Sequence, residues 1–152
     1  MNNLIQDTPT YIYCKMLEEK GFSCAESCIR TLFYMFDESP DIEILRATST
    51  FRGGAGIDGK CGIVESALVF LSYFLAKQNL DVTQETLTEW AKDLQNDFSD
   101  KFGSVQCPVI WEKVLAAHGD IDTNSNVPCI IKEGTVQVAA CIQRIVGGIE
   151  NI

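Results

Sequence analysis

The chain has 152 residues, 21 acidic against 12 basic side chains for a formal net charge of −9, one histidine and seven cysteines. That length can bury a core without disulfide staples, and an acidic balance with no basic stripe excludes nucleic acid as a partner. A single histidine excludes every intrachain site that needs two, such as HExxH zinc sites, facial triads and bis-histidine haem.

The first residues, Met1 to Asp7, carry neither the basic nor the apolar region of a signal peptide. Helical periodicity then dominates and strand patterns are nearly absent. Tyr11 to Lys20 is predicted as a first helix, stopped by Gly21. Ser23 and Glu26 form a capping-box pattern that opens a second helix through Ile29, Leu32, Phe33 and Phe36. Ser39-Pro40-Asp41 opens a third, with Pro40 suited to the first helical position and an end near Thr50. Phe51 to Lys60 follows, with four glycines in the seven residues from Gly53, a loop that needs special backbone angles.

From Cys61 or Gly62 to about Gln78 a very apolar helix is expected at the centre of the fold. Its most apolar part, Ala67 to Ala76, is too short to span a bilayer. Thr83 is read as the cap of a long helix to about Lys101, with Leu87, Trp90, Ala91, Leu94 and Phe98 on its inner face. Pro108 opens a helix to His118, ended by Gly119. Asp120 to Val127 reads as a polar loop, and a last helix begins around Pro128 and carries Val138, Ala139, Ile142, Ile145 and Val146. The expectation is one all-α domain over residues 1–152, with its core at about 10–146. It is a single compact bundle of about six or seven helices, with the glycine-rich loop before the central one. No membrane span and a cytoplasmic location are expected.

The cysteines divide by position. Cys24 follows the cap Ser23, Cys61 opens the central helix, Cys107 precedes Pro108 at an N-cap, and Cys129 follows Pro128 in a first turn. Unpaired N–H groups and the positive dipole end at such helix starts favour a thiolate, a known route to nucleophilic or metal-binding cysteine. Cys14, Cys28 and Cys141 lie at helical spacing among apolar residues and read as packed core thiols. Cys28, one turn beyond Cys24, is also within reach of it for a shared metal or a bridge. The chain has no CxxC pair, which removes the main support for thioredoxin-type, zinc-ribbon and covalent-haem readings.

Ser23-Cys24-Ala25-Glu26-Ser27, the glycine loop Phe51 to Gly56 followed by Lys60 to Leu68, Phe98 to Cys107 with Phe102-Gly103-Ser104, and Cys129 with Val136 to Ala140 together resemble the C_GCAxxG_C_C family of redox-active proteins. The likeness spans about residues 10 to 146. It implies that Cys24, Cys61, Cys107 and Cys129 are the family's four cysteines. Ile63 and Ser66 stand where the family shows alanine and glycine, and the longer Cys129-to-Val136 spacing makes Cys141 a fallback for the fourth position. Ser66 is expected to loosen packing near Cys61 or to add a hydroxyl beside it.

Three readings follow. The first is thiol–disulfide chemistry on these four cysteines. Cys61 is the expected nucleophile, exposed and lowered in pKa by Arg52 and Lys60, with Cys24 or Cys107 resolving, and the partner a redox protein, a small thiol or an electron carrier. The second is a zinc or iron–sulfur centre on Cys24, Cys61, Cys107 and Cys129, although their spacings match no short motif. The third is a non-catalytic helical binding domain with Gly53, Gly54 and Gly56 as a ligand loop; GxxxxGK[ST] is absent, since Cys61 follows Lys60. A homodimer is compatible with all three. His118 is read as a helix C-terminal charge, Glu26 as a capping residue, Trp90 and Trp111 as core, and Glu65 as a solvent-facing residue, a partner of Arg52 or a proton acceptor near Cys61.

Overall fold

Four helices of this chain start where a short polar side chain takes up the free N–H groups of a first turn. The computed structural model describes residues 3–118 and 129–149. Thr8 caps α2 (Pro9–Glu19) by accepting from the Tyr11 N–H, and Gly21, at φ 88°, turns the chain after the C-cap Lys20. Ser23 and Glu26 cap α3 (Cys24–Met35) reciprocally: the Ser23 N–H donates to Glu26 Oε2 at 3.0 Å and the Glu26 N–H to Ser23 Oγ at 3.3 Å. Asp41, not Ser39, caps α4 (Ile42–Thr48), accepting from the Glu43 N–H at 2.9 Å. Pro40 therefore stands before the cap instead of in the first turn, and α4 ends two residues short of Thr50 in a 3₁₀ turn, Ser49–Phe51.

The central helix α5 (Gly62–Lys77) has Cys61 as its N-cap. Thr83 caps α6 (Gln84–Phe102), which stops at Gly103 with φ 82°. α7 spans Cys107–His118 and α8 spans Ile131–Ile149. A single turn, α1 (Asn3–Gln6), makes eight α-helices among the described residues; it lacks the length to show a hydrophobic period and was not expected. α8 starts at Ile131 and not near Pro128. Pro128, the stop Gly119 and the loop Asp120 to Val127 lie outside the described residues.

α5 packs against α3, α4, α6 and α8, and its apolar side chains are the middle of the core. Phe33 of α3 is fully buried and meets Phe70 and Tyr73 edge-on, each at 5.2 Å between ring centroids. α8 comes close because Gly134 has no side chain: a Cβ there would stand 2.9 Å from Ile63 Cδ1. Ser66 does not loosen the packing. Its buried hydroxyl donates to the Ala25 carbonyl at 3.1 Å and ties the first turns of α5 and α3 together. On α6, Leu94 and Phe98 are buried, with Leu87 and Trp90 packed against the core. No described helix is long and apolar enough to cross a membrane.

The Ser23 cap holds the start of the helix that carries Cys24. Ser23→Ala is expected to cost about 1 kcal/mol. Urea unfolding measures it, and a midpoint equal to the wild type would show that the capping box contributes nothing.

Candidate functional site: four cysteines around one cavity

The glycine loop is a run of left-handed residues. Gly53, Gly54, Ala55 and Gly56 have φ of 61°, 66°, 59° and 75°, and Asp58 has 56°. The Gly59 N–H closes the run on the Gly54 carbonyl at 2.9 Å. At Gly54 no other residue fits, because a Cβ would lie 2.4 Å from the Gly59 nitrogen.

From this loop the chain passes into a two-bond clip. The Cys61 N–H donates to the Val105 carbonyl at 2.8 Å, and the Cys107 N–H donates to the Gly59 carbonyl at 2.9 Å. These bonds flank an isolated antiparallel pairing of Lys60 with Gln106. Side chains alternate across such a pairing, so Cys61 and Cys107 face one side and Lys60 the other. Lys60 accordingly does not border the cavity that the cysteines share.

Cys24 arrives from α3. Gly62 lies beneath its sulfur: a Cβ on Gly62 would stand 3.0 Å from Cys24 Sγ and 2.8 Å from the Phe51 carbonyl oxygen. Cys129 arrives two residues before α8, outside the first turn where the sequence reading put it. Cys24, Cys61, Cys107 and Cys129 all border one cavity of about 670 Å³, together with Arg52, Asp58, Glu18 and Trp111. Every cysteine in the chain is a free thiol. Among the described residues, no three histidine, cysteine or carboxylate side chains are gathered so that they could hold a metal ion.

Burial governs the electrostatics. Cys61 is 4% exposed, and burial pushes its thiol from 9.0 up to about 12, against the N–H groups of Ile63 and Val64. A helix N-terminus offers about 1 kcal/mol to a charge, less than one pKa unit at about 1.4 kcal/mol per unit. It cannot offset the desolvation of a buried sulfur. The expectation of an exposed, acidic Cys61 is therefore corrected. Burial also raises Cys129, to about 11, with the Ile130 N–H opposing. Cys107 is raised by burial, then by the charges of Cys24 and Asp58, and is the least covered of these three. Cys24 is the shared neighbour: a negative charge on its sulfur would raise the thiols of Cys61, Cys107, Cys129 and the interior Cys28.

The other cysteines are interior. Cys14 is fully buried and donates to Thr135 Oγ1 at 3.6 Å, and Cys28, also fully buried, donates to the Ile63 carbonyl at 3.6 Å. Cys141 is 1% exposed, and its sulfur accepts from Arg144 at 3.4 Å.

Of the loop glycines, Gly53 borders the cavity, Gly54 closes the loop, and Gly56 is exposed with open space around it. Trp111 is 39% exposed and borders the cysteine cavity, so it is not a core residue; its place one turn after Cys107 was the available signal. Glu18 and Asp58 gave no sequence signal, because other parts of the chain bring them there. Glu65 borders a separate groove with Leu68 and Tyr73, away from the cysteines. The His118 Nδ1–H donates to the Val114 carbonyl at 2.8 Å in the last turn of α7.

The raised thiol of Cys61 has a stability consequence. The folded state holds its proton up to about pH 12, while the unfolded chain releases it near 9. Stability is therefore expected to fall as pH rises through that window, by about 1.4 kcal/mol per pH unit for a wholly buried thiol. Urea unfolding at pH 8, 9 and 10 reads the slope, which Cys61→Ala should reduce. An unchanged slope in that variant would overturn the assignment.

The profile of a family described as "Putative redox-active protein (C_GCAxxG_C_C)" matches residues 22–145. The chain belongs to this redox-active family, and the matched span contains all four cavity cysteines. No curated protein and no solved structure matches it.

Proposed function

We propose that this chain is a single-domain thiol–disulfide exchange protein of the cytoplasm, with Cys24, Cys61, Cys107 and Cys129 as its working thiols and a disulfide-bearing redox partner as substrate. One observation carries the reading: four cysteines from four separate segments border one cavity, in a chain whose other three cysteines are buried away from it. In the reducing direction, the Cys107 thiolate attacks one sulfur of the partner's disulfide. That S–S bond breaks, its second sulfur leaves with the electron pair and takes up a proton, and a mixed disulfide forms on Cys107. The Cys24 thiolate then attacks Cys107 Sγ. The partner's remaining sulfur leaves as a thiol, and the protein holds a Cys24–Cys107 disulfide. Two protein thiols are oxidised and one partner disulfide is reduced. Cys61, the most buried of the four, serves as a second internal partner for Cys24.

Alkylation of the reduced protein with iodoacetamide at pH 7.5, followed by mass mapping, tests this order. Cys107 is expected to react at least about tenfold faster than Cys61, since thiolate fraction and access both favour it. Cys14, Cys28 and Cys141 should be slowest. Equal rates at Cys107 and Cys141 would overturn the reading. A thiol count after equilibration with a glutathione redox series should show two thiols lost together per chain.

A further inference from the structure

A second cavity, of about 440 Å³, lies against the first. Both are bordered by Cys129 and Ile110. The Lys132–Glu18 ion pair, at 2.9 Å, joins their rims, since Lys132 borders the second cavity and Glu18 the first. Among the described residues, three lysines, Lys101, Lys113 and Lys132, and the chain's one histidine, His118, border the second cavity, against one carboxylate, Glu133. This reverses the sign of a chain with net charge −9. The three amines come from three different helices, two of them meeting at the C-terminal end of α6. Lys101 is in the last turn of α6, the Lys113 amine lies over Gly103 just beyond it, and Lys132 is in the first turn of α8. Among the described residues, neither Lys101 nor Lys113 has a carboxylate partner.

We propose that this basic cavity seats the carboxylates of a small anionic thiol, which reduces the oxidised protein by attacking Cys129. The inference rests on the thiol–disulfide reading above. Within the oxidised protein, the Cys129 thiolate displaces Cys107 from Cys24, moving the disulfide to Cys24–Cys129 with no net electron change. The seated thiolate RS⁻ attacks Cys129 Sγ, the protein S–S bond breaks, and Cys24 leaves with the electron pair and takes up a proton. A second RS⁻ attacks the R sulfur of the mixed disulfide and releases the Cys129 thiol. The sum is two RSH and one protein disulfide giving RSSR and two protein thiols. In the reduction step Cys129 is the sulfur attacked, so its raised thiol bears only on the preceding exchange with Cys24, and the lysines favour both the carboxylates and the incoming thiolate. The two cavities then divide the work, with partner disulfides meeting Cys107 and the reductant meeting Cys129.

The test compares three thiols on the oxidised protein: glutathione (anionic), 2-mercaptoethanol (neutral) and cysteamine (cationic), at equal thiolate concentration. Glutathione is expected to reduce the protein on the order of fivefold faster than cysteamine at low salt, with the trapped adduct mapping to Cys129. The double variant K101Q/K113Q should abolish this preference and leave the 2-mercaptoethanol rate within about twofold. Equal rates for the anionic and cationic thiols in the wild type, or a preference that survives in the variant, would overturn the proposal. A second readout needs no redox step: S-methylglutathione should slow iodoacetamide labelling of Cys129 in the reduced wild type but not in K101Q/K113Q. Absence of protection in the wild type, or equal protection in the variant, condemns the seat. Protection in a protein that never forms a disulfide instead condemns the thiol–disulfide reading and, with it, the reduction step.

Discussion

Replacing Cys24 with serine is expected to slow intramolecular disulfide formation by at least on the order of tenfold, because exchange needs a thiolate within reach of each sulfur. Cys24 is the common neighbour of the set. Its sulfur lies over Gly62, next to Cys61, and a charge placed on it would be felt by Cys61, Cys107 and Cys129 alike. Diamide oxidation of the reduced protein, quenched with acid and mapped by mass spectrometry, reads the effect. In the wild type the bridged species should contain Cys24. Cys107→Ser and Cys129→Ser should each remove only part of the rate, since Cys24 keeps other partners, and Cys141→Ser should match the wild type. A Cys24→Ser protein that oxidises at the wild-type rate would show that the cavity is organised around another thiol.

Gly54→Ala is expected to destabilise the fold by about 3 kcal/mol. A left-handed alanine costs about 1 kcal/mol, and overpacking that cannot relax costs about 1–3 kcal/mol more. The added Cβ would lie 2.4 Å from the Gly59 nitrogen and 2.8 Å from its oxygen, both backbone atoms of the segment that leads into the clip. Gly53→Ala separates the two terms. Gly53 is left-handed at φ 61° but has nothing within 4 Å of its Cβ position, so about 1 kcal/mol is expected there. Urea unfolding of both variants gives the comparison. Equal costs would mean that the Gly54–Gly59 approach is not rigid. A Gly54 variant that still folds should also alkylate faster at Cys61, because the loop beside it has opened.

Local chemistry made the helices readable. Ser23 with Glu26, Thr83 and Gly103 each act within a few residues of themselves, and their caps stand where the sequence placed them. Asp41 shows the limit: two neighbouring residues could cap α4, and the carboxylate that accepts two N–H groups prevailed over Ser39. For the site, the positions of Cys24, Cys61 and Cys107 at helix starts were visible in the chain, but their environments were not. Cys61 is buried because it joins the core cluster shared by α3, α5 and α8, and the turning away of Lys60 comes from its pairing with Gln106. Both depend on contacts between residues far apart in sequence, which periodicity and capping do not encode. The basic cavity was hidden for the same reason. Lys101, Lys113 and Lys132 give no signal singly, and only the approach of α6, α7 and α8 groups them.

The clip between residues 59–61 and 105–107 also works as a latch. It consists of two backbone hydrogen bonds outside any helix, so it can open as a local fluctuation while α5 and α7 stay intact. Opening moves Cys61 away from Cys107 and uncovers a sulfur that the closed form keeps protonated. The amide hydrogens of Cys61 and Cys107 are the two that make the latch, and their deuterium exchange reports the open fraction directly. On the proposed chemistry, the reactivity of Cys61 would follow how often this backbone clip opens, and a bridge from Cys24 to either clipped cysteine would change that frequency.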